Sequence, residues 1–357
     1  MDKKKLIDNL LIEGYQKGLF NGVWLYAENE EIITKGAVGF LDQENKLPVQ
    51  ENSVFEMASV TKQFTATAIM LLLRDNKLQL DDSIVKYLPS FIHHGVTIRH
   101  LLNHTSGLPH YDVEEIVTKI KNMDNKIPSN KRFVNYICEL KDPLIHKPGE
   151  VFCYTDVGYT MLAEIVEVIS KEKFEKFLQE RIFKKALMKD SLICHTRING
   201  YPSDRFARNM VLENGVYILS YKANSTANYV INSDGLNGCD YLYTTIFDML
   251  AWDKALREGT ILSLEEQELM FTPGLLNDGN YAGSNGYDIG YGFGFGIRKD
   301  EKNGLIVHHG GCMPGVLTSF LHFVDKNKTF MFFNSREPKN RDDFNILAYK
   351  LEEIISE

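Results

Sequence analysis

Phe55-Glu56-Met57-Ala58-Ser59-Val60-Thr61-Lys62-Gln63-Phe64-Thr65 is the stretch on which the reading of this chain turns. Ser59 stands where a strongly helical pattern, Ser59 to Arg74, begins, and Lys62 follows three residues later. The two side chains therefore share one helical face about a turn apart. That is the geometry of a nucleophile and its base. A serine hydroxyl is inert at neutral pH until a neighbour takes its proton, and an ammonium can do so only if burial or positive potential lowers its pKa. The amino end of a helix supplies such a potential, and its free N–H groups can also stabilise an oxyanion. An N-cap serine followed by a surface lysine would spell the same four letters, so other segments have to decide.

Working outward, Asp2 to Lys17 places Leu6, Leu10, Leu11 and Tyr15 on one helical face. Gly22 to Gly39 then alternates apolar and polar residues around the turn Glu28-Asn29-Glu30-Glu31, which reads as a hairpin. From Ser59 to about Leu256 helical periods dominate, as in Val157 to Ser170 and Lys173 to Phe183, and strands are expected to be scarce. Strand patterns return at Tyr291–Ile297, Leu305–His309, Leu317–Val324 and Thr329–Asn334, the last two joined through Asp325-Lys326-Asn327-Lys328, before a closing helix over Asp342–Ile355. Gly290, Gly292, Gly294 and Gly296 alternate with Tyr291, Phe293 and Phe295, a period of two that reads as strand and not as a dinucleotide-binding loop. The expected fold is α+β, with one antiparallel sheet assembled from both chain termini and flanked by helices. A single domain, 1–357, would then divide into a sheet subdomain (1–58 and 257–357) and a mainly helical lobe (59–256), with the cleft between them.

Composition narrows the function. The chain has 357 residues, 40 Lys plus Arg against 48 Asp plus Glu, and a net charge of -8, which offers no basic footprint for nucleic acid. The longest apolar stretch, Ala66 to Leu73, contains Thr67 and stops at Arg74, well short of the ~20 residues of a membrane span. Acidic residues interrupt the start MDKKKLIDNLLIEGYQKG, so no signal peptide is read and a cytoplasmic location is expected. Cys138, Cys153, Cys194, Cys239 and Cys312 are odd in number and scattered, which suits free thiols acting as small buried residues. His100 and His104 lie at i, i+4, but Leu101 stands where a zinc hydrolase would carry glutamate, so no metal is expected. The expected partner is a small-molecule or peptide substrate, with no cofactor; the oligomeric state is left open.

Two more segments carry chemistry. Lys147-Pro148-Gly149-Glu150 leads into Cys153-Tyr154-Thr155-Asp156-Val157-Gly158-Tyr159, a turn feeding a helix expected to be capped by Asp156. A phenol such as Tyr154, placed beside a lysine and a serine, can shuttle a proton if adjacent positive charge pulls its pKa down. Val307-His308-His309-Gly310-Gly311-Cys312-Met313-Pro314-Gly315 ends one strand, where glycine lets a substrate approach closely and an N–H can complete an oxyanion hole. In this order the segments resemble the penicillin-recognising serine hydrolases: class C β-lactamases, D-alanyl-D-alanine carboxypeptidases, D-aminopeptidases and related esterases. Thr97 to Pro109 and Leu242-Tyr243-Thr244-Thr245 through Asp248 to Trp252 are similar to further stretches of that family, so the likeness runs from about Gly22 to Asn334.

The resemblance implies a β-lactamase/transpeptidase-like fold and a serine hydrolase acting by an acyl-enzyme on an ester or amide. Ser59 would be acylated, and Lys62 and Tyr154 would share the proton transfers. The N–H groups of Ser59 and Gly311 would form the oxyanion hole. His308 and Gly310 would hold the first and third places of the family's K-T-G strand motif, and Asp156, His308, His309 and Gly310 would meet substrate. Two departures weaken the case for β-lactam hydrolysis: Asp156 replaces the asparagine of Y-x-N, exchanging an amide donor for a carboxylate, and His308 replaces a lysine. The rival reading is a penicillin- or peptide-binding protein of the same fold without turnover. Specificity is expected to reside in loops at His110 to Asn130 and Asn277 to Ile289.

Overall fold

In the computed structural model, residues 2–42 and 45–357 are described. Met1, Gln43 and Glu44, within the span assigned to the sheet subdomain, lie outside them. Asp2 caps the first helix, Lys3–Gln16, its carboxylate accepting from the Lys4 N–H at 3.1 Å. The hairpin follows as Gly22–Glu28 and Glu31–Val38, with Asn29 and Glu30 both at positive φ in the tight turn.

These two strands close one side of a seven-stranded sheet. Its order is Gly290–Tyr291, Gly296–Asp300, Gly304–Met313, Val316–Phe323, Lys328–Asn334, Gly22–Glu28, Glu31–Val38, and every pairing is antiparallel. Gly22 faces Asn334 and Glu28 faces Lys328, so the two ends of the chain meet in register. Alternation along each strand feeds two cores. Trp24, Tyr26, Ile306 and Phe332 pack beneath the terminal helices Lys3–Gln16 and Arg341–Ser356 with Leu11, Phe344 and Leu351. Val23, Leu25, Val307, Phe320 and Phe333 face the lobe and join its larger core. Each fully buried Leu or Phe contributes about 2 kcal/mol, so both faces of the sheet are firmly held.

Several elements differ from the expectations. Tyr291–Ile297 is not one strand: residues 292–295 make a tight turn between Gly290–Tyr291 and Gly296–Asp300, because Gly294 adopts φ +76° and the Gly292 N–H donates to the Phe295 carbonyl at 2.8 Å. A Cβ on Gly294 would lie 2.7 Å from the Lys62 carbonyl, so this turn presses on the helix behind Ser59. The middle of the chain carries short strands: Leu192–Ile193, Met210–Glu213, Val216–Leu219 and Leu242–Thr244. The segment 110–130, expected as a loop, holds the helix Val113–Asp124, capped by Asp112 and burying Ile116, Val117 and Ile120. The helix after Tyr154 begins at Asp156 itself, its N-cap being Thr155. Two thiols are not buried: Cys153 is half-buried and Cys312 exposed. Among the described residues, no helix is long and apolar enough to cross a membrane.

Candidate active site

The site begins with a short ladder. Phe55 pairs with Thr244 and Glu56 with Tyr243, and the Met57 N–H donates to the Leu242 carbonyl at 2.8 Å. Carrying the register on brings Ser59 opposite Asp240. The Ser59 hydroxyl lies 3.4 Å from Asp240 Oδ1 as its donor. Ser59 occupies a 3₁₀ turn, Ala58–Thr61, directly before the helix Lys62–Arg74. Ala58, at φ +47°, is a non-glycine residue in the left-handed region, a cost that only a well-packed surrounding sustains.

Lys62 is fully buried. Its ammonium has three protons and three oxygen partners: Ser59 Oγ at 2.9 Å, Asp156 Oδ1 at 2.6 Å and the Cys239 carbonyl at 3.3 Å. Burial disfavours its charge, but Asp156, then Tyr154, Asp240 and Cys239 outweigh it and hold the pKa well above the ordinary lysine value. The expectation of a lowered lysine pKa is therefore reversed, and the cause is the carboxylate that replaces an amide at 156. Asp156, Cys239 and Asp240 bring their ligating atoms within 4.8 Å of one another, as a metal site would, yet the cation lying against Asp156 is the Lys62 ammonium.

Tyr154 stands over Lys62, with the ammonium 4.9 Å from its ring centroid. Its ring is open to the cleft, at 41% exposure, while the hydroxyl end is crowded by protein beside Lys62 and Ser59. Burial outweighs the lysine's pull and pushes this phenol up to about 12, opposite to the expected direction. His104 props the ring from behind, centroids 4.3 Å apart, and its Nδ1 accepts from the Thr155 N–H at 3.2 Å. Burial, then Lys62 and His309, keep His104 neutral.

The strand Gly304–Met313 closes the other wall, and here the expected register is off by one residue. Val307 belongs to the lobe-side core and Ile306 to the core under the terminal helices, so His309 and Gly311 face the site while His308 and Gly310 face away. His308 instead bonds Asp288 at 2.8 Å on the far side of the sheet. His309 Nδ1–H donates to the Gly310 carbonyl at 2.6 Å, and Nε2 accepts from the Tyr291 hydroxyl at 2.9 Å, a tautomer assigned from the network. Burial and Lys62 lower its pKa to about 3, so the ring is neutral. Gly311 is obligatory at this spot: a Cβ would lie 2.2 Å from both the Met57 carbonyl and Thr318 Oγ1. Its N–H, however, is not free for an oxyanion. The Leu305 carbonyl accepts from the Val324 N–H at 2.9 Å, and antiparallel alternation then turns residue 311 toward Thr318. Cys312 is the neighbour whose N–H points to the edge left open where pairing with Gly296–Asp300 ends at His308.

The structure thus gathers Ser59, Lys62, Tyr154, Asp156, His309 and Gly311, and leaves His308 and the Gly310 α-carbon face outside. Asp240 and His104 were missed as site residues. Asp240 belongs to no motif, and its only sequence signal is that it precedes the strand Leu242–Thr244.

Comparison with known proteins gives the family and the fold. The chain is 33% identical over 339 residues to penicillin-binding protein 4* of Bacillus subtilis, covering 94% of this chain and 72% of that protein. A penicillin-binding protein from Bacillus halodurans superposes with a TM-score of 0.78 at 22% identity, covering 97% of this chain and 99% of the other. D-amino acid amidase from Ochrobactrum anthropi, solved with L-phenylalanine amide, gives 0.78 at 21% identity over 99% of both chains. The fold is thus β-lactamase/transpeptidase-like, and the beta-lactamase family profile matches residues 7–353. With its serine, lysine and tyrosine gathered on that fold, the chain belongs to the β-lactamase family of serine hydrolases and penicillin-binding proteins.

Proposed function

We propose that the protein is a serine hydrolase working through an acyl-enzyme on an ester or amide, of the D-amino-acid peptide or small-ester kind, with slow or no turnover of β-lactams. The observation that carries this reading is the Lys62 ammonium 2.9 Å from Ser59 Oγ at the start of a helix. A positive charge at that distance stabilises the developing alkoxide. Tyr154, protonated at neutral pH, stands beside both and can deliver a proton to the leaving group. The N–H groups of Ser59 and Cys312 are the natural donors to the oxyanion. Asp156, its side chain 35% exposed, adds negative charge at the cleft, which opposes the carboxylate that β-lactams bear. A structural neighbour named as a D-amino acid amidase supports an amide substrate.

Labelling with a fluorophosphonate probe tests the reading. The wild-type protein is expected to be labelled, Ser59→Ala is expected not to be, and a chromogenic ester is expected to be cleaved far faster than nitrocefin. No labelling and no ester cleavage would leave a non-catalytic binding protein of the same fold.

A further inference from the structure

Ser59 Oγ and Asp156 Oδ1 meet at one nitrogen, lying 2.9 Å and 2.6 Å from Lys62 Nζ. The second oxygen of that carboxylate, Oδ2, has no protein partner among the described residues and is reached by solvent. A carboxylate offers about four acceptor sites, so the bond to Lys62 leaves capacity for a second donor. Beside it, Asp156 and Tyr229 share the walls of a cavity of about 10 Å³ with Cys239 and Asp240, the room of one water molecule and hence of one ammonium head. Little in the site would hold an anion instead. His104 Nδ1 accepts from the Thr155 N–H and His309 Nε2 accepts from the Tyr291 hydroxyl, so each ring carries a lone pair and is neutral. His308 is turned to Asp288 on the far face of the sheet. Next to Ser59 the cleft therefore presents a free carboxylate oxygen and the open face of Tyr154, and both favour a cation.

We propose that Asp156 is a specificity-determining residue that binds the protonated α-amine of the acyl donor, so that the preferred substrates are amino-acid amides or esters with a free amino group. This rests on the reading of Ser59 as nucleophile. In a reactive complex the acyl carbon stands about 3 Å from the attacking oxygen. An α-nitrogen lies two bonds beyond that carbon, which brings it within reach of Asp156, because a single ammonium bridges Asp156 and Ser59. The substrate amine then donates to Oδ2 while Lys62 keeps Oδ1. An N-acyl group has no charge to offer and sets a carbonyl oxygen against a carboxylate, acceptor facing acceptor. Asparagine at the same place would give that carbonyl an amide donor. The exchange of donor for acceptor at 156 thus selects the free amine and rejects the acylated one.

The test compares kcat/KM for three 4-nitroanilides of one scaffold, each in both hands: phenylalanine with its amine free, its N-acetyl form, and the phenyllactic analogue that puts a hydroxyl in place of the ammonium. The wild type is expected to prefer the free amine by about 30-fold over the other two, as one charge-assisted hydrogen bond provides. In Asp156→Asn that preference is expected to fall to about threefold or less, chiefly through a higher KM for the free amine. The ratio is the reading that matters, since a general disturbance of Ser59 or Lys62 slows all three compounds and leaves it alone. Should Asp156→Asn not fold, Asp156→Ser takes its place with the same expectation. A wild type that cleaves the three alike or prefers the acetylated one overturns the proposal, and so does a preference that survives the substitution. Fluorophosphonate labelling separates the two levels: a labelled wild type without preference for the amine sinks this inference alone, whereas an unlabelled wild type that cleaves none of the three sinks the reading of Ser59 with it.

Discussion

At the scale of single residues, the substitution at 156 reorganises the charges of the site. A carboxylate 2.6 Å from Lys62 fixes that lysine as an ammonium, where an amide would let burial push its proton off. Asp156→Asn should therefore lower the Lys62 pKa and remove one negative charge from the cleft. Two unit charges ~6 Å apart at an effective dielectric of ~20 interact by about 3 kcal/mol, and solvent in the half-open cleft reduces this to roughly half. The expected result is that Asp156→Asn is acylated by a fluorescent penicillin about tenfold faster than wild type. Equal rates would mean that Asp156 does not face the acyl donor's carboxylate. The triad Ser59, Lys62 and Tyr154 was legible because each sits in a short local motif. Which of the adjacent histidines faces inward was not, since strand parity depends on whether Val307 or Ile306 meets the lobe, and both are equally apolar. Asp240 was illegible for another reason: only the ladder of Phe55–Glu56 with Leu242–Thr244 brings it opposite a serine 181 positions away.

At the scale of elements, the cleft is a matter of how closely strand and helix approach. Gly311 lets the strand Gly304–Met313 lie against Met57 and Ala58, the residues that deliver Ser59. In Gly311→Ala the new methyl would overlap backbone oxygen, which cannot rotate away, so the strand must withdraw. A displacement of ~1 Å at a reacting centre costs on the order of 100-fold in rate, and that loss in ester cleavage is the expected outcome. Activity within a few-fold of wild type would show that the strand does not form a wall of the site. On the lobe side, the helix Ile246–Arg257 is tied to the sheet by Asp253, which pairs with buried His322 and with Arg257 at 2.9 Å, while Arg257 reaches the Lys328 carbonyl at 2.7 Å. Burial alone would raise the Asp253 carboxyl, but His322 and Arg257 hold it below its ordinary value. A depressed folded-state pKa contributes stability above the unfolded value of ~3.9, and that contribution is lost as pH falls through the folded value. Asp253→Asn is thus expected to cost about 3 kcal/mol at pH 7, with the difference from wild type shrinking below pH ~4. Urea unfolding of both proteins at pH 7 and pH 3.5 checks the sign as well as the size. The helix Val113–Asp124 was within reach of sequence reasoning, since Asp112, Val113, Ile116, Val117 and Ile120 form a cap and a stripe. The turn at Gly294 was not, because its period of two persists through a reversal that only the packing against Lys62 dictates.

At the scale of the molecule, the expectation of one sheet built from both termini agrees with the observed strand order, and it has a consequence for how the chain divides. The Asn21 N–H donates to Asn334 Oδ1 across 313 positions, so the sheet cannot close until nearly the whole chain is present. The helix Lys62–Arg74 is buried from Lys62 through Leu72, walled by the lobe on one side, where Phe64 lies 4.7 Å from Trp252. On the other side the sheet meets it, through Thr318 Oγ1 donating to the Met57 carbonyl and through the turn at Gly294. A helix solvated on neither side belongs to neither part alone. We therefore expect the isolated lobe, residues 59–256, to show no cooperative unfolding transition and no fluorophosphonate labelling, because removing the sheet strips one wall from the helix that carries the site. Apolar burial on the order of 25 cal/mol per Å² is lost along that whole face, which is comparable to the entire stability of a typical domain. A sharp two-state transition in fragment 59–256 would instead divide the chain into two domains and place the cleft at their interface, where hinge motion would control access to Ser59.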